Sequence, residues 1–309
     1  MAIVPDVERL LWDVVREIEP TPNQVAAASG SHRYFRDLLN GGNIGRRIAD
    51  SYLGGSYSRD TAIRPIDDVD VIFVIDPAGW DGPRWSGLPS PQAVLNTFAN
   101  AIRYRYPLSS VYGQRRSVRL QLSHLDIDVV PAVIASADGT ALKIPDSDAD
   151  EWLLTAPKLH ARNATDVNAA RSGLFKPLVK LLKYWNGNLP EPARLKSFTV
   201  ETMAVRIFKE VQYSDLRDGL LKFLDFCAHL DGQTRLYRWT SDFGMSFGLF
   251  GISVPDAAET ASNTAHGVDA TRIEKLSSRA AVSLERIGCA DRARLNEAAR
   301  AYVQEALRV

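Results

Sequence analysis

Asp68 and Asp70, two carboxylates two apart at the start of the apolar run Val69–Ile75, are the residues of this chain best suited to chemistry. Side chains alternate across a strand, so both acids leave a sheet on one face. Adjacent carboxylates repel each other, and a soluble protein places them together where a cation is to be held. Upstream, Leu53-Gly54-Gly55-Ser56-Tyr57 is a small-residue turn, with eleven residues between Ser56 and Asp68. Such a turn offers backbone N–H groups and a hydroxyl to a closely approaching phosphate. Magnesium takes oxygen ligands and is bound through one or two carboxylates plus substrate phosphates. Turn and acid pair together read as a metal-dependent nucleotide site. Arg59 and Arg64 bracket the same loop, and Asp67, on the opposite face, is expected to be solvated.

Two metals flanking an in-line displacement at phosphorus need bridging carboxylates, and three is a common complement. A third can come from Ser117–Val130, where Val118, Leu120 and Leu122 alternate and then Leu125, Ile127 and Val129 do. Asp126 and Asp128 share the face opposite that second apolar set, so either qualifies. Pro131 is expected to end this ladder because it cannot donate a hydrogen bond. A basic feature lies further on. Phe175, Leu178, Val179, Leu182 and Trp185 form a helical stripe, while Lys176, Lys180 and Lys183 share another face. No acidic residue occurs between Asp166 and Glu191, so these lysines lack local partners and a triphosphate would provide one. Pro177 marks a helix start or kink there.

Gly55-Ser56, Thr61-Ala62-Ile63, Asp68-Val69-Asp70 and the distant Asp128-Val129-Val130-Pro131-Ala132 resemble the nucleotidyltransferase superfamily typified by DNA polymerase β. Within it the chain is most similar to the bacterial cGAS/DncV-like nucleotidyltransferases (CD-NTases), relatives of 2′-5′ oligoadenylate synthetase. The likeness continues through Trp152–His160, Leu178–Trp185 and Leu195-Lys196-Ser197-Phe198 with Glu201, and so covers residues 50–205. It implies an α+β fold: a polymerase β-like core of mixed sheet and helices, residues 1–157 with the N-terminal helices, and a C-terminal helical lobe, residues 158–309. It selects Asp128 over Asp126 as third ligand beside Asp68 and Asp70, for two Mg2+ ions with Mn2+ as an alternative. It assigns the donor triphosphate to Gly55, Ser56, Lys180, Lys183 and Ser197, with Ser197 as N-cap of its helix. The activity implied is condensation of nucleoside triphosphates, ATP among them, into a cyclic di- or trinucleotide second messenger. In this family such products commonly serve antiphage (CBASS) signalling and are sensed by a downstream effector protein. The alternatives are linear oligonucleotide synthesis or nucleotide transfer by the same fold, and an inactive nucleotide-binding regulator.

The elements that must position these groups can be read from periodicity. Asp6 caps a helix with the stripe Val7, Leu10, Leu11, Val14, Val15 and Ile18, stopped by Pro20 and Pro22. Helices are expected over 23–39 and 91–105, a short helix over 44–52, strands over 69–75 and within 117–130, and a short strand near 141–144. From Thr165 the pattern is helical, near 167–186, 197–212, 214–230 and 270–308, apart from an irregular aromatic stretch, 235–264. Tyr237, Trp239, Phe243, Phe247 and Phe250 there could stack on a base, though such clusters more often form core.

Composition narrows the partners. Lys plus Arg equals Asp plus Glu at 37 each, so no global field draws nucleic acid or an anionic membrane. No nucleic-acid activator is therefore expected. Two cysteines, Cys227 and Cys289, give neither a disulfide framework nor zinc-ligand spacing, which suits a reducing cytoplasm. The start of the chain lacks the features of a signal peptide, and no run is long enough to span a bilayer. His32, His124, His160, His229 and His266 are scattered and read as structural or surface residues. The chain is expected to act as a monomer.

Overall fold

Alternation along Asp68–Ile75 sorts its side chains onto two faces, and the architecture follows that sorting. The computed structural model describes residues 6–42, 44–66, 68–80, 87–123, 125–230, 242–248 and 251–308. Asp67, His124, Tyr237, Trp239 and Phe250, on which the sequence raised expectations, lie outside them. Two compact units emerge: Pro20–Arg162, and Met1–Glu19 with Asn163–Val309. In chain order the elements are α1 (Val7–Ile18), α2 (Pro22–Asn40), β1 (Ile48–Leu53), α3 (Gly55–Ser58), β2 (Asp68–Ile75), α4 (Pro91–Arg105), β3 (Val111–Gly113), β4 (Val118–Gln121), β5 (Asp126–Ile134), β6 (Leu142–Asp146), β7 (Glu151–Thr155), α5 (Pro157–Ala170), α6 (Phe175–Asn188), α7 (Ser197–Glu210), α8 (Leu216–Ala228), β8 (Ser246–Gly248), β9 (Gly251–Ser253), α9 (Ala270–Arg292) and α10 (Asn296–Leu307).

In the unit Pro20–Arg162 the sheet order is β1-β2-β5-β4-β3, with β6 on the far end of β5 and β7 on β6. β2 and β5 are parallel and all other pairs antiparallel. A parallel pair needs a crossover, and α4 with the β3–β4 hairpin supplies it. Val69, Val71, Phe73 and Ile75 join Ile127, Val129 and Val133 of β5, Phe35 and Leu39 of α2, and Val94, Leu95, Phe98 and Ile102 of α4 in one core. Phe73 is fully buried, edge-on to Phe35 at 6.3 Å and tilted against Phe98 at 5.8 Å. The other face of β2 carries Asp68 and Asp70 first, then Ile72 and Val74, which pack with Ala132 and Leu142.

Three sequence expectations are corrected here. Residues 48–53 form strand β1 and not the second part of a short helix; only Gly45–Arg47 makes a 3-10 turn. Pairing with β2, Tyr52 opposite Ile72 and Leu53 opposite Val71, overrides the local preference. Pro131 does not end β5, which runs on to Ile134. Along that edge the β4 pairing stops at Val129 and the β6 pairing starts at Val133, so Pro131 falls between two ladders. Pro22 opens α2 in its first turn behind a Thr21–Gln24 capping box, as well as closing what precedes it. Strands β3 and β7, three and five residues long, carried no clear signal.

The second unit is helical. The stripe of α1 packs on α6, α8 and α10, so this helix groups with the C-terminal helices and not with the sheet. Its Glu8 accepts from the Leu216 and Arg217 N–H groups at 3.1 and 2.8 Å, satisfying donors at the start of α8. Trp185 Nε1 donates to Ser283 Oγ at 3.0 Å, and Ser283 Oγ to the Ala306 carbonyl at 2.7 Å, tying α6 to the last two helices. The stretch expected as one helix over 270–308 breaks between Arg292 and Asn296. Pro177 sits in the first turn of α6, where no intrahelical N–H is required of it.

Because Phe73 anchors the strand that carries the acids, Phe73→Ala should cost about 3–5 kcal/mol of stability, read as a lower urea midpoint. Leu108→Ala, at a fully exposed position, should leave that midpoint unchanged.

Candidate active site

The turn before the acids is shaped by what it must clear. Gly54 N–H donates to the Asp70 carbonyl at 2.8 Å. Gly55 has φ +61°, and a Cβ on it would stand 1.8 Å from Asp70 Oδ2. Only glycine serves at that position, for its left-handed backbone and for the carboxylate against it. Ser56 is half-buried, its carbonyl accepts from Thr61 N–H at 3.0 Å, and its hydroxyl has no hydrogen-bond partner among the described residues.

The parallel register sets Asp68 beside Asp126 and Asp70 beside Asp128, so four carboxylates crowd one face of two neighbouring strands. Asp128 is buried, Asp70 and Asp126 are half-buried, and Asp68 is exposed. Arg119 of β4, opposite Asp128 in the antiparallel register, reaches into this group. Its Nε donates to Asp128 Oδ1 at 2.8 Å, Nη1 to Asp126 Oδ2 at 3.3 Å, and Nη2 to Asp68 Oδ2 at 3.2 Å and to Asp128 Oδ2. These bonds push the Arg119 pKa still higher, so it is always charged. Asp70 makes none of them. Burial, and then the charges of Asp68 and Asp128, raise its pKa to about 6, against the opposing pull of Arg59 and Arg119.

The acid face therefore wants more positive charge than the protein supplies, and its donors are hard oxygens. That chemistry fits Mg2+ or Mn2+, and it does not fit zinc, which favours Cys and His. Among the described residues no group of three acids, histidines or cysteines is already gathered as a metal cage. The acids are instead arranged around the guanidinium of Arg119.

The remaining sequence candidates fall as follows. Lys180 and Lys183 are buried in α6, in the second unit, so theirs is not a solvated face. No local acid faces these lysines, but Lys180 has a partner distant in sequence: its Nζ donates to Glu19 Oε1 at 2.6 Å. Ser197 is exposed and is the first residue of α7; the cap position belongs to Lys196, whose side chain makes no capping bond. Arg59 is buried beside the turn. Phe243 and Phe247 pack edge-on against Phe226 at 5.8 and 6.2 Å; Phe243 is buried core and Phe247 is half-buried. Arg119 was missed, although Val118-Arg119-Leu120 alternates and sets a lone cation on the polar face.

Residues 6–168 match the model of the Second Messenger Oligonucleotide or Dinucleotide Synthetase domain. A cyclic AMP-AMP-AMP synthase of Acinetobacter sp. is 34% identical over 204 residues, covering 63% of this chain and 56% of that protein. A cyclic UMP-AMP synthase of Rhodothermus marinus is 25% identical over 177 residues, 50% of this chain and 61% of that one. The chain thus aligns with little more than half the length of these curated relatives. Among solved structures, E. coli MS115-1 CdnC with ATP superposes with a TM-score of 0.76 at 20% identity, covering 98% of each chain. Vibrio cholerae DncV in its GTP-bound form gives 0.61 at 15% identity, covering 98% of this chain and 85% of that chain. The fold is that of the polymerase β-like CD-NTases.

Gly55→Ala should displace Asp70 and weaken Mn2+ binding at least tenfold. Gly139→Ala, also at positive φ (+68°) but with nothing within 4 Å, should not; titration of both variants separates the clash from the backbone cost. The raised pKa of Asp70 has a sign that can be measured. Its protonated form favours the metal-free fold, so this contribution is fully present below 3.8 and is lost as pH rises through about 6. Metal needs the ionised form, so Mn2+ affinity should be about tenfold weaker at pH 5 than at pH 7.

Proposed function

The chain belongs to the Second Messenger Oligonucleotide or Dinucleotide Synthetase family, and from that premise we propose that it condenses nucleoside triphosphates, ATP among them, into a cyclic di- or trinucleotide. The observation that carries the reading is the paired register of Asp68 with Asp126 and Asp70 with Asp128, set against the Gly55 turn. Asp68, Asp70 and Asp128 would hold two Mg2+ ions, or Mn2+. Bound there, the metals supply charge to activate the attacking hydroxyl and to offset the leaving pyrophosphate.

The protein's share is positioning and neutralisation, as phosphoryl-type transfers require. The bare backbone at Gly55 lets a phosphate approach, and the unpartnered Ser56 hydroxyl donates to it. Lys180 and Lys183 offer cationic heads on a helix with no acid of its own. The start of α7, whose cap residue Lys196 makes no side-chain capping bond, and the exposed Ser197 hydroxyl would face an anion with donors. On this reading residues 1–157 are the catalytic core and 158–309 the helical lobe, apart from α1, which groups with the later helices.

The names of the relatives, cyclic AMP-AMP-AMP and cyclic UMP-AMP synthases, support adenine among the bases. An antiphage role, with a downstream effector that senses the product, follows from the family. No described helix is long and apolar enough to cross a membrane, and we place the protein in the cytoplasm as a monomer. We hold to activity without a nucleic-acid activator. The net charge is zero, Arg36 pairs with Asp37, Arg103 donates to the Val111 carbonyl, and Arg115 and Arg116 share Asp146. These four arginines are partly engaged within the protein, which supports that reading. Linear synthesis or transfer of a nucleotide is the rival, and retention of the acids weighs against an inactive regulator.

Labelled NTPs with Mg2+ should yield a phosphatase-resistant product whose mass identifies a cyclic nucleotide, with no duplex added. Asp70→Asn and Asp128→Asn should abolish it with the fold kept. Lys183→Glu should raise KM for NTP about tenfold or more, as expected for a lost charged hydrogen bond, while Lys275→Glu on the exposed face of α9 should not. A phosphatase-sensitive linear product would favour the rival; strong, salt-sensitive stimulation by duplex DNA or RNA would remove the activator-free reading.

A further inference from the structure

Resting on that reading, we propose that Arg119 is the internal counter-ion of the acid face, a positioning residue that holds Asp68 and Asp128 in the metal-free protein and must release them when divalent cations bind. Both oxygens of Asp128, one of Asp68 and one of Asp126 are taken by a single guanidinium. The fork geometry of arginine matches this: parallel donors to one carboxylate, with further donors left for its neighbours.

The two cations have overlapping claims on the same atoms. Ions held by Asp68, Asp70 and Asp128 would compete with Arg119 for both oxygens of Asp128 and for one of Asp68. A divalent ion set among them would also stand within a few ångströms of a fixed positive charge, and such repulsion is strong where water is excluded. Asp128 is buried, so screening by water is weakest at that acid, while Asp68 is exposed. Simultaneous occupation in the present geometry is therefore disfavoured. Metal entry costs the Arg119 contacts, and the resting site is kept ordered by them. Without a cation of either sort, four carboxylates in two facing pairs would push β2 and β5 apart at their leading ends.

Asp70 divides the roles further. It lies in the same rank as Asp128 but makes no bond to Arg119, and its Oδ2 stands where a side chain on residue 55 would be. It is thus the acid at which a first metal can bind without displacing the arginine, with Asp68 and Asp128 recruited as the guanidinium lets go. This order is a property of the chain's own contacts, apart from which nucleotides it uses.

The test is direct binding. Mn2+ titration, followed by the loss of free-ion paramagnetic resonance, compares wild type with Arg119→Met, Arg119→Lys and the control Arg115→Met, whose partner Asp146 lies outside the acid group. Arg119→Met should bind Mn2+ at least tenfold more tightly, yet melt at a lower temperature in EDTA, with the melting gap closing in saturating Mn2+. Arg119→Lys, which keeps the charge and loses the fork, should fall between. Arg115→Met should match wild type in affinity. Equal or weaker Mn2+ binding by both Arg119 variants overturns the proposal, because a merely structural arginine would lower affinity when removed. If Arg119→Met does not fold, Arg119→Lys decides: tighter binding supports the idea and equal or weaker binding ends it. Absence of Mn2+ binding by any of these proteins, wild type included, overturns the metal reading itself and the inference with it.

Discussion

Repulsion among four carboxylates on one face of β2 and β5 is the constraint to which the rest of this unit answers. The register that pairs Asp68 with Asp126 and Asp70 with Asp128 cannot slip by one residue without turning Val69, Val71 and Phe73 out of the core. The apolar face thus fixes where the charges stand, and the charges do not choose their own spacing. Burial of Val71, Phe73, Ile127 and Val129 holds the strands together against that repulsion, and Arg119 offsets part of it directly. Burial first, and then what remains of that repulsion, raises the pKa of Asp70.

The two acids of β5 show how small differences in position divide function from support. Asp126 and Asp128 share a face and both touch Arg119. Yet Asp128 is buried and takes two of the arginine's donors, while Asp126 is half-buried and takes one at 3.3 Å. Asp128 also pairs with Asp70, the acid against the glycine turn, whereas Asp126 pairs with the exposed Asp68. Asp128 is thus the β5 acid in register with the acid beside the turn. This is a physical reason to prefer Asp128 that does not depend on family likeness.

Much of this was legible because it rests on period-two alternation. β2 and β5 announce themselves by Val-x-Val-x-Phe and Ile-x-Val spacing, and α1, α4 and α6 by their apolar stripes. The parallel pairing of β2 with β5, which brings the acids together, is not in the local sequence; it follows from a crossover of some fifty residues between them. β1 was misread for the same reason: Ile48-Ala49-Asp50-Ser51 has little strand character until β2 lies beside it. Likewise α1 has a clean stripe, but a stripe does not say which partner covers it. The absence of a local acid for Lys180 could be read, but not its pairing with Glu19, which stands 161 positions away.

Arg119 was overlooked for a different reason. Its position on the acid face could be read from Val118-Arg119-Leu120, but a lone arginine carries meaning only once the charges around it are known. In the fold it is not one more surface cation: it bonds to acids on two strands and is itself on a third. A lysine could supply the charge there, as a point, and could not hold Asp68, Asp126 and Asp128 together. On the proposed reading, the acid face owes its order to a group with which bound metal would have to compete. Tighter support of the acids at rest and easier entry of the metal are opposed demands on the same guanidinium, and the geometry of Arg119 is where this chain settles them.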